Sequence, residues 1–254
     1  MQLTDKIAVI TGASRGIGNA IAHTFAREGA AVVLASRKAD ALEAAAEEIR
    51  QAGGRALAVP TNTGYADQCE ALIARTLDTY GRVDVLVNNA AASPHFGPIL
   101  TSEAWQWQKV LDVNLMGYFW TSKYAAEAMQ QTGGGAIINM ASIAGLQPMP
   151  MLGIYSVSKA AVVMLTKALA QELAPLNIRV NAIAPGVVKT RFAQPLWENP
   201  DVRERIEAST PMRRVAEAEE ITGAALYLAS DASSYMTGHV MVLDGGGTIS
   251  GITL

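Results

Sequence analysis

Short β-branched runs alternate along the chain with longer stretches whose apolar residues recur at helical spacing, and a glycine or polar turn separates each from the next. The runs predict strands at Ile7–Thr11, Ala31–Ser36, Arg55–Pro60, Val83–Val87, Ala136–Ala141, Ile178–Ala184 and His239–Leu243. Runs such as VDVLV over 83–87 are apolar almost throughout, as strands covered by helices on both faces are. Parallel neighbours need right-handed crossovers, which put those helices in place. The stretch KADALEAAAEEIRQ, Lys38–Gln51, is an alanine-rich example that stops at Gly53 and Gly54. The pattern predicts one α/β domain over residues 1–254, a Rossmann fold with a doubly wound, seven-stranded parallel sheet.

Thr190–Pro211 breaks the alternation. It carries three prolines together with Phe192 and Trp197, and it follows the sixth strand. In open α/β sheets the carboxyl ends of the strands face the ligand. A substrate flap is therefore expected over about 190–211.

Half of the residues are hydrophobic and 17% are charged, which fits a packed globular protein. A net charge of -3 without any Lys/Arg run speaks against nucleic acid as a partner. No segment reaches roughly 18 uninterrupted apolar residues, and Met1–Lys6 shows no signal-peptide core, so no membrane association and a cytoplasmic location are expected. Cys69 is the single cysteine, and His23, His95 and His239 are scattered, so neither a disulfide nor a metal site is expected.

Chemistry enters directly after the first strand, at Thr11-Gly12-Ala13-Ser14-Arg15-Gly16-Ile17-Gly18. Gly12 permits the tight turn, Gly16 lets a pyrophosphate approach the backbone, and Gly18 lets the following helix pack close to the strand. Farther along, Tyr155 and Lys159 stand four residues apart in a helical run, so they share one face about a turn apart. A free phenol with a pKa of about 10 gives up its proton more readily beside an ammonium.

The TGxxxGxG spacing, Asn88-Asn89-Ala90-Ala91, Asn114, Ser142, the Tyr155/Lys159 pair and Pro185-Gly186-Val187-Val188-Lys189-Thr190 occur in one order over nearly the whole chain. In this the chain resembles the short-chain dehydrogenase/reductase family. The resemblance implies a cofactor site built from Gly12, Ser14, Arg15, Gly16, Ile17 and Gly18, with Asn62 and Thr63 at adenine and Asn89 and Ala90 along the adenosine ribose. Val188 and Thr190 would hold the nicotinamide carboxamide, and Lys159 the nicotinamide ribose. It further implies that Tyr155 exchanges a proton with the substrate oxygen, Ser142 polarises that oxygen, and Asn114 positions a water linking Lys159 to solvent. Two positions depart from the family pattern: Ala91 stands for the usual glycine, and Asn62 for a frequent Asp, although an amide oxygen can still accept from adenine. Taken singly, each residue has an ordinary reading: amphipathic packing for Tyr155, a strand-end cap for Ser142, a buried backbone-bonded amide for Asn114.

The second strand ends in Ser36, where NAD enzymes of this architecture usually carry an acid, and Arg37 follows. Arg15 would approach the same ribose from the other side. Two guanidinium groups around one 2′-phosphate predict NADP(H) as cofactor.

The segments at 89–98 and 192–200 are similar to the branch of NADP-dependent carbonyl and retinal reductases. Its animal members carry a peroxisomal tail, whereas this chain ends Gly251-Ile252-Thr253-Leu254 without Ser-Lys-Leu, so that address is not expected. The substrate would be a small-molecule carbonyl or alcohol of apolar character, held between Ser93–Phe96, Gln147–Leu152, Met149 and Met151 included, and Phe192–Trp197.

A 3-oxoacyl-[acyl-carrier-protein] reductase shares all these residues. Such enzymes dock their carrier through basic side chains flanking the entrance, and the aligned positions Gln131, Thr132, Gly133 and Leu176 are not basic. A non-catalytic NADP-binding scaffold is the alternative of another class; such proteins commonly lose the tyrosine or lysine, and both are intact. Finally, Ala160–Leu165 is apolar on all sides of its helix, so this helix and one expected over Glu103–Met129 should meet symmetry mates in a homotetramer.

Overall fold

The computed structural model describes residues 1–250, so the tail Gly251–Leu254, read above for a targeting address, lies outside the described residues. The strands are β1 (Ile7–Thr11), β2 (Ala31–Ser36), β3 (Arg55–Pro60), β4 (Val85–Asn88), β5 (Gly135–Met140), β6 (Ile178–Pro185) and β7 (Val240–Leu243). They form one sheet in the order β3-β2-β1-β4-β5-β6-β7, parallel at every pairing. The strand order reverses direction between β1 and β4, and a crevice opens at such a switch point.

The helices are α1 (Gly16–Arg27), α2 (Ala39–Gln51), α3 (Ala66–Tyr80), α4 (Ala104–Leu111), α5 (Gly117–Gln131), α6 (Gly153–Leu173), α7 (Gln194–Trp197), α8 (Pro200–Ser209) and α9 (Thr222–Ala229). Alternation along each strand divides the core into two layers. Ala8 and Ile10 of β1 pack with Ile21 and Phe25 of α1, Leu42 of α2 and Leu228 of α9. Ile7 and Val9 turn the other way, towards Leu72 of α3 and Ala125 and Met129 of α5. Emptying the Phe25 site by Phe25→Ala, in a fully buried position, would cost about 3–5 kcal/mol.

Three sequence expectations change here. β4 begins two residues later than Val83, because the Asp84 carboxylate turns back to accept the Ile7 N–H at 2.8 Å and pair with Arg82. The single helix expected over Glu103–Met129 is α4 and α5 joined by a π turn at Asp112–Met116. A π turn widens one coil and shifts the phase of every later residue, which a 3.6-residue period does not reveal. The segment expected as a flap contains α7 and α8, and Pro195 and Pro200 occupy their first turns, where no N–H is needed.

By length and hydropathy alone, the helical stretch Gly153–Leu176 could cross a membrane. Its apolar content has another use: Ile154, Val162 and Ala170 are buried, and α6 packs along β6. Lys159 is buried in its second turn.

Candidate active site

At the switch point the exits of β1 and β4 are tied to each other. The Thr11 hydroxyl accepts the main-chain N–H groups of Asn89 and Ala90 at 2.9 and 3.1 Å. In return the Asn89 amide donates to the carbonyls of Thr11 and Gly12 at 2.9 and 3.2 Å. Gly12 and Gly16 adopt φ values of +66° and +61°, which favour glycine. A Cβ on Gly18 would stand 2.7 Å from the Gly12 carbonyl oxygen, so only glycine lets α1 start this close to β1. Arg15 precedes α1 in extended conformation, and no side chain caps the helix. Its first N–H groups are left for an anion.

A cavity of about 390 Å³ runs along the carboxyl ends of the strands. Ser14, Arg15, Gly16 and Ile17 line it with Ser36 and Arg37 at the tip of β2, Asn62 and Thr63 after β3, Asn89 and Ala90 after β4, and Val188 and Thr190 after β6. Ser142, Tyr155 and Lys159 complete its wall. Gly12 also lines it, whereas Gly18 and Asn114 do not; Gly18 acts by permitting packing. Ala91 has no positive φ, so its backbone does not need the family's usual glycine.

The cavity suits a dinucleotide. The Ser36 hydroxyl is buried with no partner, and Arg15 and Arg37 form no ion pair among the described residues. Asn62 uses its side-chain oxygen to accept the Gly64 N–H at 3.2 Å, which fixes the turn and leaves a second lone pair. Lys38 lines the same end of the cavity. Sequence reading missed it, because a lysine just before a helix looks like any solvated surface residue.

At the other end, Tyr155 and Lys159 lie in the first two turns of α6. Burial pushes the Tyr155 phenol up to about 12, while a hydrogen bond with Ser142 draws it down. Burial brings the Lys159 ammonium down to about 7. Its Nζ lies 5.6 Å from the Tyr155 ring centroid, donates to the Met140 carbonyl at 2.6 Å, and reaches the Tyr118 hydroxyl at 3.3 Å. Ser142 has two tasks, since its Oγ also accepts the Ala144 N–H at 3.1 Å and so caps a short turn.

Asn114 sits in the π turn, fully buried. Its Oδ1 accepts the Ala92 N–H at 2.7 Å, and its Nδ2 donates to the Ala92 carbonyl and the Ser158 hydroxyl, both at 3.0 Å. The side chain is thus committed to tying the loop after β4 to α6. The Ser158 hydroxyl in turn donates to the Tyr155 carbonyl.

The substrate end is walled by Ser93, Phe96, Met149, Leu152, Phe192, Pro195 and Leu196. Phe192 lies against Tyr155 with ring centroids 5.5 Å apart. Trp197 and Met151, both expected near the substrate, do not line the cavity. The Trp197 indole N–H bonds the Thr190 carbonyl at 2.9 Å, bracing the base of the flap, and Met151 sits at φ +66° and is 42% exposed. The four positions read for carrier-protein docking are also misplaced. Gln131, Thr132 and Gly133 lead into β5 and Leu176 leads into β6, so they border the amino ends of the strands, away from the cavity. Their lack of charge therefore says nothing about that entrance.

Comparison with known proteins agrees with this geometry. The family model described as enoyl-(acyl carrier protein) reductase matches residues 12–248. Dehydrogenase/reductase SDR family member 4 is 40% identical in Bos taurus and 39% in Homo sapiens, each over 244 residues that cover 96% of this chain and 88% of that protein. Tropinone reductase-like 3 of Erythroxylum coca is 38% identical over 95% of this chain and 92% of its own. A short-chain type dehydrogenase/reductase from Mycobacterium marinum superposes with a TM-score of 0.92 at 42% identity, covering 97% of both chains. A protein from Beutenbergia cavernae, described as an NAD(P)-dependent gluconate 5-dehydrogenase with NADP bound at low occupancy, gives 0.93 at 39% identity over 98% of this chain and 99% of that one. The chain belongs to the short-chain dehydrogenase/reductase family, oxidoreductases that use a nicotinamide cofactor.

Proposed function

We propose that the protein is an NADP(H)-dependent carbonyl reductase acting on apolar ketones or aldehydes, reversibly with the matching secondary alcohols. One observation carries the reading: a single cavity has Arg15, Ser36 and Arg37 at one end, Phe96, Met149, Leu152 and Phe192 at the other, and Ser142, Tyr155 and Lys159 between. A bound nicotinamide supplies the hydride in reduction and takes it up in oxidation. Tyr155 gives its phenolic proton to the carbonyl oxygen, and Ser142 donates a hydrogen bond to the same oxygen. Lys159 holds the nicotinamide ribose and stabilises the phenolate that is left. Asn114 holds α6 in register through Ser158 and supports proton return to Lys159.

Among the named relatives, the gluconate dehydrogenase suggests a second substrate class, a polar hydroxy acid. The aromatic and aliphatic wall favours the apolar one, because a polyol there would lose water without gaining partners. The test is a substrate panel of aromatic ketones, α-diketones, retinal, 3-oxoacyl thioesters and gluconate with either cofactor. NADPH-linked turnover of aromatic ketones or diketones is expected to lead; gluconate or thioester turnover tenfold above theirs would overturn the reading.

A further inference from the structure

We infer that Tyr118 is a positioning residue for the reaction: its hydroxyl, anchored on the Met140 carbonyl, holds the Lys159 ammonium at the end of β5, one helical turn from Tyr155. The inference rests on the reading of Tyr155 and Lys159 as the proton-transfer pair.

Tyr118 stands at the start of α5, directly after the π turn, and is 1% exposed, as is Lys159. Two contacts define its hydroxyl. It lies 3.2 Å from the Met140 carbonyl oxygen and 3.3 Å from Lys159 Nζ. A carbonyl oxygen cannot donate and an ammonium cannot accept, so the roles have one solution. The phenol gives its proton to Met140 and turns a lone pair to Lys159. Lys159 Nζ in turn donates to the same carbonyl at 2.6 Å. The three groups close a triangle in which the carbonyl accepts twice. Of the three ammonium hydrogens, two are fixed this way and one remains for the cavity that Lys159 lines.

What surrounds Lys159 gives this triangle its weight. Among the described residues no carboxylate pairs with it. The phenols facing it are Tyr118 from α5 and Tyr155 from α6, both with rings within 6 Å of Nζ. Met140 and Ser142 at the end of β5 bring no charge, and the turn at Ile143–Gly145 brings only backbone and small apolar groups. Burial drives Lys159 towards the neutral amine and keeps Tyr118 protonated. Only dipoles therefore favour the ammonium before Tyr155 ionises, and the Tyr118 oxygen is one of two that touch it.

The test is Tyr118→Phe, which keeps the ring and removes the acceptor. Tyr118→Met, whose unbranched side chain fills the space without an oxygen, serves in its place if the first variant folds poorly. Lysine-labelled NMR, with Lys159→Met identifying the signal, follows the Lys159 titration without cofactor, and the pH profile of alcohol oxidation follows Tyr155. The expected result is a Lys159 midpoint about one pH unit lower, a tenfold loss of proton affinity. The acid limb of oxidation should move up by a similar amount, and kcat near neutrality should fall about tenfold with KM within threefold. Unmoved midpoints, with or without a lower Tm, would show a packing role alone and overturn the inference. Full turnover by Lys159→Met would instead sink the reading of the Tyr155/Lys159 pair, whatever Tyr118 does.

Discussion

The Phe192 ring leans on the Tyr155 ring at an interplanar angle of 45°, so one residue of the segment after β6 covers the side chain proposed to handle the proton. Phe192 is 48% exposed, and about half of its apolar surface is available to a substrate. Phe192→Ala should raise KM for aromatic ketones about tenfold, or about 1.4 kcal/mol. kcat should change less than KM. Steady-state kinetics with one aromatic and one small aliphatic ketone checks this, the aliphatic one being the less affected.

Tyr155→Phe keeps the contact with Phe192 and removes the transferable proton. Turnover should fall by roughly 10² or more, with NADPH affinity within a few fold of wild type. Stopped-flow turnover beside fluorescence titration of NADPH separates the two effects, and turnover within threefold of wild type would refute the role.

The proposed cofactor choice turns on the tip of β2. With Arg15 and Arg37 free of ion pairs and the Ser36 hydroxyl lacking a partner among the described residues, NADPH should be preferred over NADH at least tenfold in kcat/KM. Ser36→Asp combined with Arg37→Leu adds repulsion and removes attraction, and should reverse the order. Equal use of both cofactors by the wild type would disprove the assignment.

Burial brings the Lys159 ammonium down to about 7 in the folded chain, against an ordinary value of 10.5. Between these values the unfolded chain binds more protons than the folded one, so the contribution of Lys159 to stability increases as pH rises through that window. Below pH 7 both states hold the proton, and the burial penalty is constant. Tyr155 works in the opposite sense only above about pH 10, where its unfolded form ionises first. Between about pH 7 and 9.5, Tm of the wild type should therefore climb relative to that of Lys159→Met. Parallel Tm curves across the window would show that Lys159 keeps an ordinary titration.

The apolar face of α6 gives the fifth prediction. Val157 and Met164 are 47% and 64% exposed, at positions that share one side of the helix. A homotetramer is expected, with α6 and the α4–α5 helix pair against symmetry mates. Met164→Glu should shift the mass seen by light scattering downwards at micromolar concentration, and a monomeric wild type would exclude this assembly.

The ends of β1, β2 and β3 match the sequence reading to the residue, because each run is β-branched or apolar and stops at a turn residue. The cofactor turn was equally legible, since its glycines must stand where backbone crowding and positive φ exclude other residues. Side-chain partnerships were not. The backbone-bonded amide is one reading of Asn114, but its partners, Ala92 and Ser158, appear only in the folded chain. Tyr118 carried no signal, for it becomes important only when a π turn rotates it beneath Lys159. Trp197 read as substrate wall because aromatic residues in a flap usually are, yet its indole N–H finds the nearest open carbonyl instead.

Thr190, the root of the flap, touches the cofactor turn: a Cβ on Gly16 would meet its methyl group at 3.2 Å. On the function proposed above, the cover over the carbonyl compound would thus be seated on the same turn that receives the pyrophosphate. In kinetic language this arrangement predicts an ordered scheme, with the dinucleotide first on and last off. NADP+ should then inhibit competitively against NADPH, and the alcohol product should not. Excess ketone re-entering beneath the flap would hold spent dinucleotide in place, and the rate would decline at high ketone concentration.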